Sequence, residues 1–391
     1  MNAPSRKVDN MHEGQQGQGD TFPRDAGGLR GVVLASPGGL AGGGGMGSVT
    51  RAMKAWMAEH TPEIEVDVID PRSEGRALWS LLYGPAALAR LVYCRVAKGH
   101  DLLHLQVSER LSFVRKSALM FVARALKMRV VLHHHGAELI PFFRGASPRM
   151  KRLVRWAVCK ADVNIVLGEV WRTFLLDEVG VPSERVVIAI NATRDFPTRE
   201  PAADRDPWHF LVLANLSPRK GIGELLEAIA LLAERGLPVK LTLAGGGEVD
   251  RYRRQAEALQ IGQRCTFTGW IQGDAVTDLL FDRSVLVLPS HHEGLPMTIL
   301  EALSARLPVV TTPVGSIPEH LAHEVTCLFV QPGDVVGIAD ALQRLATDQA
   351  LGHRLTTNGR ALYEARFGLH GYMRRMLAVY ASLVGGAALP R

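Results

Sequence analysis

Glu293 and Glu301 are the only acids in HHEGLPMTILEALSARLPVV (residues 291–310), and a glycine, a proline and an apolar run lie between them. Pro296 suits a first helical turn, where its missing amide hydrogen costs nothing. Glu293 then stands in a loop ahead of a helix, and Glu301 inside it. Eight helical steps alone would set the two side chains about 80° apart; with a loop between, they reach two parts of one extended ligand. The amides of residues 294–297, exposed at the helix start, favour an anion. A nucleotide sugar meets all three features: diphosphate at the helix start, ribose diol on one carboxylate, sugar hydroxyls on the other. A capping glutamate beside a solvated one would give the same spacing without chemistry.

Other reactive residues also follow apolar runs. In LANLSPRKGIGELLEAI, Lys220 stands after a strand pattern and before a helical one, a good place for a point charge on phosphate, with Arg219 beside it. In PGGLAGGGGMGSV, Gly45 and Gly47, with Gly44 adjoining, would let backbone amides approach a phosphate; a flexible loop reads the same way. In VVLHHHGAEL, His135 directly precedes Gly136. Neighbours on a strand point to opposite faces, so the three histidines do not chelate one ion together. Glu138 suits an imidazole, acceptor hydroxyls or simply a first helical turn. His291 and His292 read as loop donors or packing residues. The triplet DRD (residues 204–206) follows no strand, and no metal site is expected.

These side chains need strands that end beside them. LRGVVLAS, IEVDVID, DLLHLQ, RVVLHHH, DVNIVLG and RVVIAIN are short β-rich runs separated by helical patterns, and HFLVLAN, LTLAG, CTFTG, SVLVLPS, PVVTT and CLFVQP repeat the alternation. Between the two sets, residues 192–208 carry three prolines and no periodic apolar face, as a linker does. The expected fold class is α/β: two doubly wound, parallel-sheet, Rossmann-like domains over residues 30–200 and 207–366, after a disordered Gly/Gln-rich tail over 1–29. In such sheets ligands sit beyond the carboxyl ends of the strands, so two domains enclose a cleft.

The stretch EGLPMTILEALSARLPVVTTPVGSIPE resembles the signature of glycosyltransferase family 4: Glu-x7-Glu, a small-residue helix, PVV and a G-x-x-x-E-like turn, here Glu293, Glu301, residues 308–310, Gly315 and Glu319. LANLSPRKG resembles the segment in which a basic pair grips the donor diphosphate. Lys220 matches the family lysine, Asn215 stands where an arginine is expected, and Arg219 is the nearby substitute. LAGGGE and CTFTGW are similar to the family's glycine turn and to the strand ahead of its base-binding loop. The resemblance runs from Leu29 to about Val384 and is strongest over residues 212–319.

It implies a GT-B architecture in which the second domain holds a nucleotide-diphosphate sugar, the first offers the acceptor, and the C-terminal helix (residues 367–391) packs back on the first. The implied reaction is hexosyl transfer with retention of configuration, without cofactor or metal. Implied catalytic residues are Glu293, His135, which points at the transferred sugar, and Lys220. Implied donor-binding residues are Glu301, Lys220, Arg219, Asn215, Gly45, Gly47, Gly294, Leu295 and Pro296, with Glu138 toward the acceptor. The partners implied are a nucleotide-sugar donor and a saccharide or lipid-linked acceptor in surface or exopolysaccharide assembly. A nucleotide-sugar 2-epimerase of the same fold and an inactive nucleotide-sugar-binding subunit, its grip lost with Asn215, are the alternatives.

Composition narrows the setting. The 391 residues suffice for two sizeable cores. Four cysteines without CxxC spacing fit a reducing, cytoplasmic compartment. The best apolar run, from Leu78, is broken by Arg90 and Arg95, so no span is expected. The net charge is +6, and its arginines and lysines concentrate between Arg90 and Lys160, where LARLVYCRVAKG and SPRMKRLVRWAVCK are two basic segments. Arginines alternating with Leu, Val, Tyr and Trp at helical spacing suit the surface of an anionic inner membrane, or a helix that buries its apolar side on a sheet. No nucleic-acid partner is expected.

Overall fold

The computed structural model describes residues 28–71, 80–108, 111–196 and 205–390. The expected tail up to residue 27 and the middle of the linker, residues 197–204, lie outside them.

The first half contains β1 (Gly31–Ala35), α1 (Gly44–His60), β2 (Glu65–Ile69), α2 (Ser80–Val96), β3 (Leu102–Val107), α3 (Leu111–Ala125), β4 (Arg129–His134), α4 (Leu139–Gly145), α5 (Pro148–Lys160), β5 (Val163–Val166), α6 (Glu169–Phe174) and β6 (Val186–Ile188). The second contains β7 (His209–Leu213), α7 (Ile222–Glu234), β8 (Lys240–Ala244), α8 (Val249–Ala258), β9 (Cys265–Gly269), α9 (Asp274–Asp282), β10 (Val285–Leu288), α10 (Met297–Ser304), β11 (Val309–Thr311), α11 (Ile317–His320), β12 (Leu328–Phe329), α12 (Val335–Thr347), α13 (Gln349–Arg366) and α14 (Leu369–Gly385). Every expected β-rich run forms a strand. The two parallel sheets have the orders β2-β1-β3-β4-β5-β6 and β12-β11-β10-β7-β8-β9. Central strands are buried on both faces, which is why they read as unbroken Val and Leu runs. At an edge, β9 alternates half-buried and exposed positions instead.

Strand order reverses beside β1 and beside β7. The loops after β1 and β3, and after β7 and β10, therefore open the crevices in which such sheets bind ligands. The loop after β1 is shorter than expected: α1 already begins at Gly44, which puts Gly44, Gly45 and Gly47 in its first turn. A Cβ on Gly47 would stand 1.9 Å from the Gly42 carbonyl oxygen, so this glycine serves the tight turn ahead of the helix.

The chain crosses between the sheets twice, and the two crossings bond to each other. Thr193 N donates to Phe367 O and Leu369 N donates to Thr193 O, each at 3.1 Å. Residues 192–196 are thus held in place, unlike the free linker expected there. Arg360, itself buried, grips the Asp195 carboxylate at 2.6 and 2.9 Å and the Ser304 carbonyl oxygen at 2.8 Å. Beyond the second crossing, α14 lies on the first sheet. It buries Tyr372, Met373, Met376, Leu377, Val379 and Tyr380, and the Tyr372 hydroxyl reaches Met53 Sδ of α1 at 3.7 Å. At roughly 2 kcal/mol per buried large apolar side chain, this helix is integral to the first core. Among the described residues, no helix is long and apolar enough to cross a membrane.

Candidate active site

Glu293 leaves the loop after β10 and turns inward, only 6% exposed. Its Oε1 accepts hydrogen bonds from Lys220 Nζ at 2.5 Å and Ser290 Oγ at 2.7 Å. Its Oε2 lies 3.5 Å from Arg219 Nη1, which also donates to the His292 carbonyl oxygen at 2.6 Å. Lys220 and Arg219 share one turn after β7 (Pro218–Lys220), so the cluster joins the two loops that flank the strand-order reversal. A buried carboxylate depends on such partners, and removing one typically costs about 3–5 kcal/mol. Gly315 has φ +60°, and a Cβ there would stand 1.9 Å from the Glu293 carbonyl oxygen, so only glycine lets this turn pass so close.

Arg219 therefore stands in the same cluster as Lys220. Asn215 does not join it: this exposed side chain lies over the next loop, with Oδ1 2.9 Å from where a Cβ on Gly247 would be. His291 likewise turns away, its Nε2 2.9 Å from Glu224 Oε1.

Pro296 is the N-cap residue of α10, at φ −64° and ψ 130°, and the helix begins one residue later than the sequence suggested. Nor are the residues at this helix start exposed, because residues 293–297 are all buried. The first domain lies against them. Asn191 Nδ2 donates to the Leu295 carbonyl oxygen at 2.8 Å. A Cβ on Gly294 would stand 3.0 Å from Leu167 Cδ1, and one on Gly45 3.4 Å from Met297 Cγ. Gly45 thus meets Met297 of α10 across the boundary between the two sheets, while Gly47 faces its own loop. Farther along α10, Glu301 is half-buried, and burial pushes its carboxyl up to about 7 against the opposing pull of Arg194.

His135 follows β4 directly and its amide donates to the Val107 carbonyl oxygen at 2.8 Å. Its ring packs on His133 with centroids 4.0 Å apart, whereas His134 turns to the other face and bonds Asn164 Oδ1 at 3.0 Å. Burial pushes His135 down to about 3, so the ring is neutral at physiological pH, and its Nε2 is buried without a hydrogen-bond partner among the described residues. The His135 carbonyl oxygen would lie 3.8 Å from a Cβ on Gly294, which brings β4 to the Glu293 loop. Glu138 is the N-cap residue of α4.

Sequence reasoning missed several contributors. Ser290, Arg194 and Asn191 carry no motif, and only three-dimensional placement brings them to Glu293, Glu301 and Leu295. Glu319 appeared in the signature without a task. Its carboxylate accepts from the amides of Glu169 at 2.7 Å and Val170 at 3.2 Å, at the start of α6 in the other domain. His320 Nε2 lies 3.2 Å from the Leu167 carbonyl oxygen of the same segment.

Away from this site, Glu65, Asp67 and His100 bring potential metal-ligating atoms within 4.8 Å of one another. Lys98 pairs with both carboxylates and Arg90 with Asp67, holding Asp67 at about 2 although burial alone would raise it. These charges fasten β2 to the end of α2.

The arrangement of sheets and cleft has close counterparts. A structure of Alr3699/HepE from Anabaena in complex with UDP and glucose matches with a TM-score of 0.70 at 18% identity, over 89% of this chain and 98% of that one. In sequence, the chain is similar to an alpha-D-kanosaminyltransferase of Streptomyces kanamyceticus, 25% identical over 67% of this chain and 72% of the relative. It is similar also to the amylovoran biosynthesis glycosyltransferase AmsK of Erwinia amylovora, 26% identical over 66% of this chain and 65% of the relative. Residues 194–362, which supply Lys220, Glu293, Glu301 and Glu319, match the model of the family glycosyl transferases group 1. The family match thus lies in the second half of the chain, and the two sheets together have the arrangement of a GT-B fold.

Proposed function

We propose that the protein transfers a hexosyl group, with retention of anomeric configuration, from a nucleoside-diphosphate sugar to a hydroxyl of a saccharide or lipid-linked saccharide during polysaccharide assembly. The observation that carries this reading is the convergence of Lys220, Arg219 and Glu293 at the strand-order reversal of the second sheet, with His135 and Gly45 approaching from the first. The name of the Erwinia relative supports the polysaccharide setting, and the UDP complex of the Anabaena protein supports the donor class.

In this reading the donor diphosphate meets Lys220 and Arg219, both of which pair with Glu293 in the structure. As the bond from the anomeric carbon to the phosphate oxygen breaks, negative charge grows on the leaving phosphate and the two cations stabilise it; no metal is needed for this. Glu293, released from Lys220, fixes the sugar ring and steadies positive charge at the anomeric carbon. Glu301 holds the ribose hydroxyls, and neutral His135 contacts the sugar or its departing oxygen. The acceptor hydroxyl attacks from the face the phosphate leaves, and its proton passes to a phosphate oxygen.

We place this work on the cytoplasmic face of a membrane. α3 packs between α2 and α5, and the outward surface combines exposed Val92, Tyr93, Val96 and Phe121 with exposed Arg90, Arg124, Arg149, Arg152 and Arg155.

Incubation with UDP-glucose, GDP-mannose and ADP-glucose, reading nucleoside diphosphate release with and without a chelator, tests the chemistry. Release from one donor, indifferent to the chelator and abolished in Glu293→Ala, is expected. An epimeric sugar nucleotide would replace transfer by epimerisation, and binding without release from any donor would leave the inactive subunit. Anomeric couplings in the product spectrum decide retention.

A further inference from the structure

Beneath His135 lies a row of buried polar side chains that the proposed chemistry does not use. On paired strands β3 and β4, Gln106 stands in register with His133, and side chains two residues apart share a face. His104 and Gln106 of β3 thus share one face of the sheet with His133 and His135 of β4. Against that face lies α14. The Tyr380 hydroxyl is 2.6 Å from His104 Nδ1, and His104 Nε2 is 3.3 Å from His133 Nδ1. His133 in turn packs on His135, with centroids 4.0 Å apart and ring planes 37° apart. His104, His133 and Tyr380 are fully buried.

The cost of this row is the reason to ask what it does. A buried polar group without a partner is destabilising, and His133 Nε2, His135 Nε2 and both polar side-chain atoms of Gln106 are buried without partners among the described residues. Apolar side chains would fill the same space without that penalty, so stability alone does not account for the row.

Neutral imidazoles have one donor and one acceptor nitrogen, so a row of them has only two consistent proton orders. The Tyr380 hydroxyl makes no other hydrogen bond among the described residues. Either order leaves one proton buried and unpaired, on His133 Nε2 or on the Tyr380 oxygen; an imidazole nitrogen accepts better than a phenol oxygen, and the Tyr380 phenol donates better than an imidazole. It therefore donates to His104 Nδ1, which puts the His104 proton on Nε2, facing His133 Nδ1. The His133 proton is then on Nε2 as well, and one tautomer is selected beside His135.

We propose that Tyr380, His104 and His133 are positioning residues for His135, a neutral hydrogen-bonded row by which the C-terminal helix sets the orientation of the ring that faces the transferred sugar. The proposal rests on the reading of His135 as that ring. None of the three touches substrate; each acts through the next.

The test uses Tyr380→Phe, which removes one oxygen and keeps the packing, with His135→Ala beside it, in the full chain. Imidazole nitrogen shifts are read by NMR, and kcat and KM with whichever of UDP-glucose, GDP-mannose and ADP-glucose supports turnover. In Tyr380→Phe, His104 and His133 are expected to move from one tautomer to a mixture, and kcat to fall roughly tenfold with KM for the donor within about twofold. Unchanged nitrogen shifts, or wild-type kcat in Tyr380→Phe while His135→Ala is inactive, overturn the relay. Full turnover in His135→Ala overturns instead the role given to His135. An unfolded Tyr380→Phe, seen as loss of the cooperative melting transition, would make the hydroxyl structural and also overturn the relay.

Discussion

With its carboxyl pushed up to about 7 by burial, Glu301 should make the stability of the unliganded protein fall as pH rises. The sign follows from linkage. The folded state holds the proton more tightly than the unfolded chain, whose glutamate titrates near 4.5, so stability is lost between pH 4.5 and about 7. Glu301→Gln carries no such loss. Its melting temperature is expected to exceed that of the wild type above neutral pH, by the equivalent of on the order of 2 kcal/mol, and to converge with it in acid. A constant offset across that range would contradict the protonated carboxyl. The pair Glu293 and Glu301 was legible in the sequence because its spacing is local. The Lys220–Glu293 contact was not, since 73 positions separate the two and nothing in either segment names the other. The proposed mechanism gives Lys220 to phosphate and Glu293 to sugar; in the structure each is the other's counterion.

At the scale of elements, strands were legible because burial on both faces writes unbroken apolar runs, while boundaries next to glycine and proline shifted. α1 starts inside the glycine stretch, because the tight turn at Gly42 and Gly47 closes sooner than a run of glycines suggests. α10 starts after Pro296, whose backbone is still extended. Glu319 is the element-scale feature with most consequence, since its carboxylate ties α11 to the first amides of α6 across the domain boundary. Gly168 is part of the same fit: a Cβ there would stand 2.5 Å from Glu319 Oε2 and 2.4 Å from Ser316 Oγ. Glu319→Ala and Gly168→Ala are each expected to speed amide exchange at residues 169 and 170 at least about tenfold, without lowering protection of β4 or β10. Unchanged exchange in both variants would show that the contact does not hold the domains together.

For the whole molecule, two sheets, two bonded crossings and a returning helix bring loops from distant parts of the chain to one boundary. The alternation of strands and helices revealed the two halves; the closeness of their docking was not legible, because Asn191, Leu167 and Gly45 have no pattern that announces a partner. The exposed basic and apolar surface of α2, α3 and α5 should sediment the protein with vesicles containing phosphatidylglycerol and not with phosphatidylcholine alone, since each basic residue near an anionic surface contributes about 1 kcal/mol. Equal or absent sedimentation with both would remove the membrane from the account. The central claim is that the loops after β7 and β10 form a nucleotide-diphosphate site. It is tested most directly by calorimetric titration of UDP, GDP and ADP into the wild type, Lys220→Ala and Glu301→Ala. One nucleotide is expected to bind, weakened at least about tenfold in each variant, as loss of a charge-assisted hydrogen bond implies. Binding of none, or binding that both variants leave unchanged, would contradict it.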